Sequence, residues 1–517
     1  MPSADELREA VLYVIRAGLQ LRPEGLAFLK ELPGDLSPLQ VVKEALERAR
    51  AEGRDFLGRE ELEAAFRTLR KPEEPEKGDE LALPAFGKGR KEEPAREQEA
   101  RVEVLMDPTG ELGSEGSLKD FLTYFRSRFR QLSSLLRRRL DARDALSVSE
   151  ALRARLNEEV KMIGMVREKR EVGGKVIAVL EDEKAAATVV FTARAGQEAY
   201  EKARRLVPDQ VVCVRAVKVA RDLFAARELI GPDVPAKRAR SGGEPAGPLY
   251  AVLISDIHFG SKAFMADAFQ RLLAWLRGEL GNGPLRRLAG AVKYLVVAGD
   301  LVDGVGVYPG QEAELTITDV HAQYEGVAEL LAEVPEHVEL VLAPGNHDAV
   351  RKALPQPAVP EEYAAPLYAD GRTHMLGNPC LVALHGVRFL IYHGNSFDDL
   401  ASAVPGTSFD RPLDMMKLML WARHLAPVYG LKTALAPTSR DLLVVEEVPD
   451  VFHTGHLHVL GCGAYRGILL VNSSAWQGQT AYQKARGIEP QPGRAVLVDL
   501  SSLKALELDF TKPGLWA

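Results

Sequence analysis

The chain has 517 residues, 46% of them apolar and 27% charged. This ordinary globular composition excludes a disordered or fibrous protein and predicts three or four domains at about 150 residues each. No apolar run approaches the roughly 18 residues a membrane span needs, and a formal charge of −7 excludes a uniformly basic nucleic-acid coat, so any nucleic-acid contact must be local.

The acidic start, Met1-Pro-Ser-Ala-Asp-Glu6, and three scattered cysteines, Cys213, Cys380 and Cys462, fit an intracellular protein with neither a disulfide framework nor a zinc cluster. Residues 1–70 read as a small helical module. Ser3-Ala-Asp-Glu6 is a capping box ahead of apolar Leu7, Val11, Val14, Ile15 and Leu19. Ser37-Pro38-Leu-Gln40 repeats the device with proline at the first helical position, and Glu60 to Leu69 reads as a further helix. Such a module fits docking better than catalysis. Residues 71–100 are dominated by Glu, Lys, Arg and Pro and predict a flexible charged linker, because they cannot bury enough surface to offset the entropy of ordering.

From Ser117 to Asp144, Leu118, Phe121, Phe125, Phe129, Leu132, Leu136 and Leu140 follow helical spacing, and eight basic residues stand against three acidic ones. A packed helix with a solvated basic face accounts for this, as does a phosphate-contacting face. The period then changes. Val160–Arg167, Lys175–Leu180 and Thr188–Thr192 read as strands, with Gly173-Gly174 as a turn, followed by a helix over Gln197–Leu206 and a strand over Val211–Val219. That order predicts an OB-fold barrel, though Phe191, Tyr200 and Phe224 are few aromatics for stacking bases.

All 11 histidines lie between His258 and His458. There, five apolar runs end at metal-binding residue types: Leu249–Ile254 before Asp256-Ile-His258, Leu295–Ala298 before Gly299-Asp300-Leu-Val-Asp303, and Val338–Ala343 before Gly345-Asn346-His347-Asp348. Phe389–Tyr392 precedes His393-Gly394, and Val451-Phe452 precedes Gly455-His456-Leu-His458. Short continuous apolar runs predict strands buried on both faces, with their carboxyl ends at one crevice. Carboxylates, imidazoles and one amide form a mixed N/O set suited to divalent Mn, Fe or Zn, and seven donors exceed the needs of one ion with open positions. Isolated histidines are more often structural, and His321, His337, His374, His385, His424 and His453 are read so. Asp303 fits a supporting carboxylate or a substrate contact.

These five motifs, in this order, resemble the calcineurin-like metallophosphoesterase superfamily. The resemblance implies two divalent ions, Mn²⁺ first with Fe, Zn or Mg as others. Asp256, His258, Asp300 and His458 would hold one, and Asp300, Asn346, His393 and His456 the other. His347 would contact the scissile phosphate and serve the leaving oxygen, with Asp348 orienting it. Val102-Glu-Val-Leu-Met-Asp-Pro-Thr-Gly110 and Asp120-Phe-Leu-Thr-Tyr-Phe-Arg-Ser-Arg-Phe129 further resemble the small subunits of archaeal D-family DNA polymerases. That resemblance implies a multidomain α/β chain: a helical module (1–70), a linker (71–100), a basic helix with an OB-fold (101–240), and a metallophosphoesterase β-sandwich flanked by helices (246–517). It also implies a proofreading 3′→5′ exonuclease acting on single-stranded or primer 3′-end DNA beside a large catalytic subunit, away from membranes. A non-catalytic assembly subunit, and a phosphatase or small-molecule phosphodiesterase outside replication, fit the same residues.

Overall fold

The computed structural model describes residues 4–16, 20–30, 32, 37–51, 56–70, 94–236, 247–485 and 489–516. The chain divides into two compact units, residues 1–87 and 88–517.

In the first unit, helices α1 (Ala4–Arg16), α2 (Pro23–Lys30), α3 (Pro38–Ala51) and α4 (Arg59–Arg70) surround a core that includes Val14, Leu29, Val42, Leu46 and Leu62. Two-residue strands β1 (Gln20–Leu21) and β2 (Phe56–Leu57) pair in parallel. The box at α3 is reciprocal: Ser37 N–H donates to Gln40 Oε1 (3.0 Å) and Gln40 N–H to Ser37 Oγ (3.3 Å). The box expected at Ser3 lies outside the described residues.

The expected linker divides in two. Residues 71–93 lie outside the described residues, whereas Pro94–Glu97 form a helical turn, α5. Its buried Ala95 joins the core of the larger unit and takes a hydrogen bond from Lys293 Nζ (3.2 Å). Strand β3 (Val102–Met106) follows, then helix α6 (Leu118–Arg137), opened by a reciprocal capping box between Ser117 and Asp120. Not every apolar position of the expected helical stripe is covered: Leu118 is 79% exposed and Leu140 83%. Its basic residues are not all solvated either. Arg128 is buried, with Nε 2.7 Å from Asp441 Oδ2, Nη1 donating to the Pro427 carbonyl and Nη2 to the Tyr124 hydroxyl. His424 Nε2 stands 2.9 Å from the same Asp441 oxygen. Arg130 pairs with Glu183 on the surface at 3.1 Å.

After short β4 (Leu146–Ser147) and α7 (Val148–Ala151), five strands close a barrel: β5 (Glu159–Val172), β6 (Lys175–Glu181), β7 (Ala186–Thr192), β8 (Val211–Lys218) and β9 (Leu223–Ile230). The strand order is β5-β6-β7-β9-β8, with β8 pairing back onto β5. β7 and β9 run parallel, and helix α8 (Gln197–Arg204) lies between β7 and β8 in sequence. This is the OB-like connectivity the sequence predicts. Phe191 and Phe224 are buried in its core.

The remainder builds two six-stranded sheets. β10 (Tyr250–Ile254), β11 (Val292–Ala298), β12 (Glu339–Ala343) and β13 (Thr373–Met375) run parallel. β14 (Cys380–Leu384), β15 (Val387–Ile391), β16 (Val451–Thr454), β17 (Gly461–Tyr465) and β18 (Ile468–Asn472) belong to the other sheet, and β19 (Arg494–Asp499) and β20 (Ala505–Asp509) extend the first. The orders are β13-β12-β11-β10-β19-β20 and β17-β18-β16-β15-β14-β3. Alternate residues of both meet in one core, with Leu253, Val296 and Val341 facing Val382, Phe389 and Val471. The five motif-bearing strands are therefore shared between two sheets, not gathered on one. β3, from ahead of the barrel, pairs antiparallel with β14 and forms the sheet's edge. Among the described residues, no helix is long and apolar enough to cross a membrane.

Removing one member of a buried ion pair costs roughly 3–5 kcal/mol because its partner stays charged and dry. Arg128→Met is expected to destabilise the larger unit by that amount, read as a lowered midpoint in denaturant unfolding. Burial, with Arg128 nearby, pulls the His424 imidazole down to about 4, so below pH 6.5 the unfolded chain binds the proton that the folded chain refuses. The stability this contributes is complete above that pH and falls by about 3 kcal/mol towards pH 4; His424→Gln should flatten that part of the profile.

Candidate metal centre

The donors converge where β10, β11, β12, β15 and β16 end. Asp256, His258, Asp300, His456 and His458 all adopt left-handed backbone, with φ of 52°, 50°, 52°, 73° and 58°. Such conformations cost non-glycine residues free energy and persist where the surroundings dictate them. Here the ladder continues past the strand ends: Asp256 N–H donates to Gly299 O (2.9 Å) and His258 N–H to Asp300 O (3.1 Å). The glycines serve two purposes. Gly299 and Gly394 take positive φ, whereas Gly345 and Gly455 leave space, since a Cβ on the first would collide with Asp300 Oδ1 and on the second with Asp256 Oδ2.

Six of the seven expected ligands stand within hydrogen-bond or ion-pair distance of another. His258 Nε2 is 3.0 Å from His458 Nε2, 3.8 Å from Asp256 Oδ1 and 3.7 Å from Asp300 Oδ2. Asp300 Oδ2 lies 3.3 Å from His393 Nε2, which is 3.0 Å from Asn346 Oδ1. Asp300 thus faces both groups. His456, the seventh, binds Asp256 through its backbone N–H at 3.0 Å; its ring lies 5.2 Å from that of His393.

The set fits metal binding. Asp256 and Asp300 are buried within a cluster of imidazole nitrogens, without a lysine or arginine ion partner among the described residues, and buried carboxylates need cationic compensation. His258 Nδ1 faces Asp303 Oδ1 at 3.0 Å and His393 Nδ1 faces the Ala298 carbonyl at 2.8 Å. With a proton on each Nδ1, Nε2 is the nitrogen that a bound cation would take in place of a proton. Asp256, His258 and His458 form one potential ligand triad, and Asp256, Asp300 and His393 another. Asp303 is itself held by Gln477 Nε2 at 2.8 Å and Gln311 Nε2 at 3.0 Å, which makes it a support for His258.

His347 points Nδ1 at the Asp303 carbonyl (2.7 Å), and its backbone N–H donates to Asp300 Oδ1 (2.8 Å). Asp348 plays a different part from the one expected. It does not contact the His347 ring but accepts from Gly345 N–H (2.8 Å), Leu301 N–H (3.2 Å) and the Tyr324 hydroxyl (2.9 Å), pinning the loop that carries Asn346 and His347. Burial, reinforced by the Asp300 charge, pushes the Asp348 carboxyl up to about 6. Burial pulls His347 down to about 4 against the attraction of Asp300, whereas for His393 burial is outweighed by the Asp300 charge and hydrogen bond together with the Asp256 charge, which lift it to about 9.

The centre opens into a cleft of about 450 Å³ whose walls include Tyr308, Lys352, Asp398, Phe409 and Lys432. Sequence reasoning passed over these. Lys352 donates to the Asn346 carbonyl. Asp398, 3.8 Å from His456 Nε2 and bound to Lys432, follows His393 by five residues, and that adjacency was its one available signal. Of the histidines read as structural, His374 pairs with Glu339 (2.9 Å), His385 with the Tyr294 hydroxyl (2.6 Å), His453 Nε2 with Ser473 Oγ (2.7 Å), and His321 stacks on Tyr363, whereas His337 Nε2 is buried with no hydrogen-bond partner among the described residues.

Residues 251–459, which span every strand-end motif, match the family of B subunits of DNA polymerases alpha and epsilon. The two-sheet half is therefore similar to a class of polymerase subunits. The DNA polymerase II small subunit of Archaeoglobus fulgidus is 43% identical over 77% of this chain and 78% of that protein. That of Methanothermobacter thermautotrophicus is 37% identical over 97% of this chain and all of that protein, and that of Pyrococcus furiosus 42% identical over 77% and 65%. The chain belongs to the small-subunit family of archaeal, D-family DNA polymerase II.

If Gly345 is there to make room, Gly345→Ala should displace the Asp300 carboxylate. Its Mn²⁺ affinity, measured by titration calorimetry, should fall by about 10- to 100-fold, the usual effect of disturbing a ligand's support.

Proposed function

We propose that the chain is a metal-dependent 3′→5′ exonuclease of the metallophosphoesterase kind and the accessory small subunit of a heteromeric DNA polymerase. The observation that carries this reading is the convergence of Asp256, His258, Asp300, Asn346, His393 and His458 from five strand ends beside one cleft, which His258, Asp300, Asn346 and His458 line. A vestigial or structural site would have no need of the opening. Seven ligand positions filled with competent donors argue for two divalent ions, Mn²⁺ foremost, which when bound would neutralise phosphoryl oxygens and supply an activated water for in-line attack.

The chain's own residues have definable parts. Asp300 faces both groups of donors and would hold them at a fixed separation. Asn346 contributes a neutral oxygen, limiting the negative charge that an incoming phosphodiester must approach. His347, anchored at Nδ1, presents Nε2 as the atom that would take up a proton and deliver it to the departing 3′-oxygen; Asp300 and Asp303 would stabilise the imidazolium so formed. Lys352 and Lys432 on the walls would attract the strand's phosphates.

The relatives' names, small subunits of DNA polymerase II, support a larger polymerising partner for this chain. Nothing in the cleft favours a phosphatase over a nuclease, but an OB-like barrel in the same chain favours a nucleic-acid substrate.

A 5′-labelled single strand incubated with the purified chain and Mn²⁺ should shorten stepwise from its 3′ end. Asp300→Asn and His456→Ala should each slow this by at least about a hundredfold, whereas cleavage that survives both would exclude the reading. A non-catalytic assembly subunit predicts instead co-purification with the large subunit and no metal-dependent cleavage.

A further inference from the structure

The turn at residues 408–411 has a composition that its own fold does not explain. Arg411 N–H donates to the Ser408 carbonyl at 3.1 Å, so Phe409 and Asp410 are the two central residues of a tight turn, positions that polar residues and proline usually fill. Phe409 is 40% exposed, and the surface it faces is the cleft of the candidate metal centre. The turn is tethered from behind, where Thr407 Oγ1 donates to the Leu400 carbonyl (3.0 Å) and the Val404 carbonyl (2.7 Å). The ring is thus presented from a fixed base, which lowers the ordering cost of any contact it makes.

Three features of the cleft decide what that contact is. Lys432, paired with Asp398 yet 65% exposed, and Lys352, which donates to the Asn346 carbonyl, stand in the cleft wall beside the ligand cluster. Tyr308 lies on another part of the lining, its ring 6.3 Å from that of His347. The volume, about 450 Å³, is at the lower end of small-molecule sites and suits one nucleotide, not a base pair. A planar apolar surface in a cleft that also holds cations is what an unpaired nucleotide offers a match to, because every base has a stackable face whatever its sequence.

We infer that Phe409 is a base-stacking wall of the cleft, against which the unpaired terminal base of a DNA strand lies while its phosphate reaches the ligand cluster. This rests on the nuclease reading above and adds to it that the last nucleotide enters singly, its base unpaired. Phe409 is a positioning residue: it orients the strand and takes no part in bond breaking.

Binding of a short 5′-labelled oligothymidylate to the full chain, with Ca²⁺ in place of Mn²⁺ to prevent cleavage, provides the test. Phe409→Ala should raise Kd by roughly ten- to a hundredfold, as loss of one stacked base does. Phe409→Trp should bind as well as the unsubstituted chain, with the new indole's emission quenched by the strand. A strand lacking only its 3′-terminal base should bind the unsubstituted chain more weakly by a similar factor and lose nothing further against Phe409→Ala. An unchanged Kd for Phe409→Ala, or a full additional loss for the abasic strand against that variant, would overturn the inference. Those results leave the nuclease reading standing if the unsubstituted chain still shortens the strand in Mn²⁺; no binding and no shortening would remove both.

Discussion

Two buried carboxylates, Asp256 and Asp300, placed side by side among imidazoles are the constraint on which the larger unit's architecture depends. Like charges in a dry interior repel and lose hydration, so they stay together only if the backbone around them cannot relax. The fold meets this with the ladder that runs on between the β10 and β11 ends and with Gly345 and Gly455 cleared to bare backbone. The left-handed conformations at the ligands are the cost of that arrangement, and the alternating core between the two sheets holds them in place.

Much of this could be read from the residues. The strands that carry the site are continuous apolar runs because both their faces are buried, and each run ends within a residue or two of where the structure ends it. The barrel was legible for the opposite reason: its strands alternate, one face inward. Four things were not legible. Periodicity reports burial, not neighbours, so nothing marked β10, β11 and β12 as one sheet and β15 and β16 as another. Arg128 sits on a helix face rich in arginine, and its partner Asp441 lies more than 300 residues away; composition cannot tell a buried guanidinium from a solvated one. Asp348 looked like a support for His347 because it is adjacent, yet its carboxylate turns instead to Gly345, Leu301 and Tyr324. Phe409 carried no periodic signal because it stands alone in a turn.

The Arg128 network also alters what the basic helix signifies. With one arginine consumed in a buried pair and another matched by Glu183, the helix is first a strut joining the barrel region to the segment around His424 and Asp441. Tyr124 from the same helix packs into the core beneath β15 and β16. Charge remaining at its exposed end is available to phosphates, but the helix's place is set by what it buries.

Strand β3 has a consequence of a different order. It leaves the two-sheet half before the barrel begins and the chain returns to pair with it only at Leu381–Leu384, so the barrel and strands β10–β13 all lie between two neighbouring strands. The two-sheet half is therefore discontinuous in sequence and cannot be cut out as a C-terminal piece: a fragment starting after the barrel would leave the outer side of β14 unpaired, an open edge prone to pairing with other chains. During synthesis, β3 must wait through the whole barrel and through β10–β13 before its partner strand emerges, so this edge of the sheet is closed late.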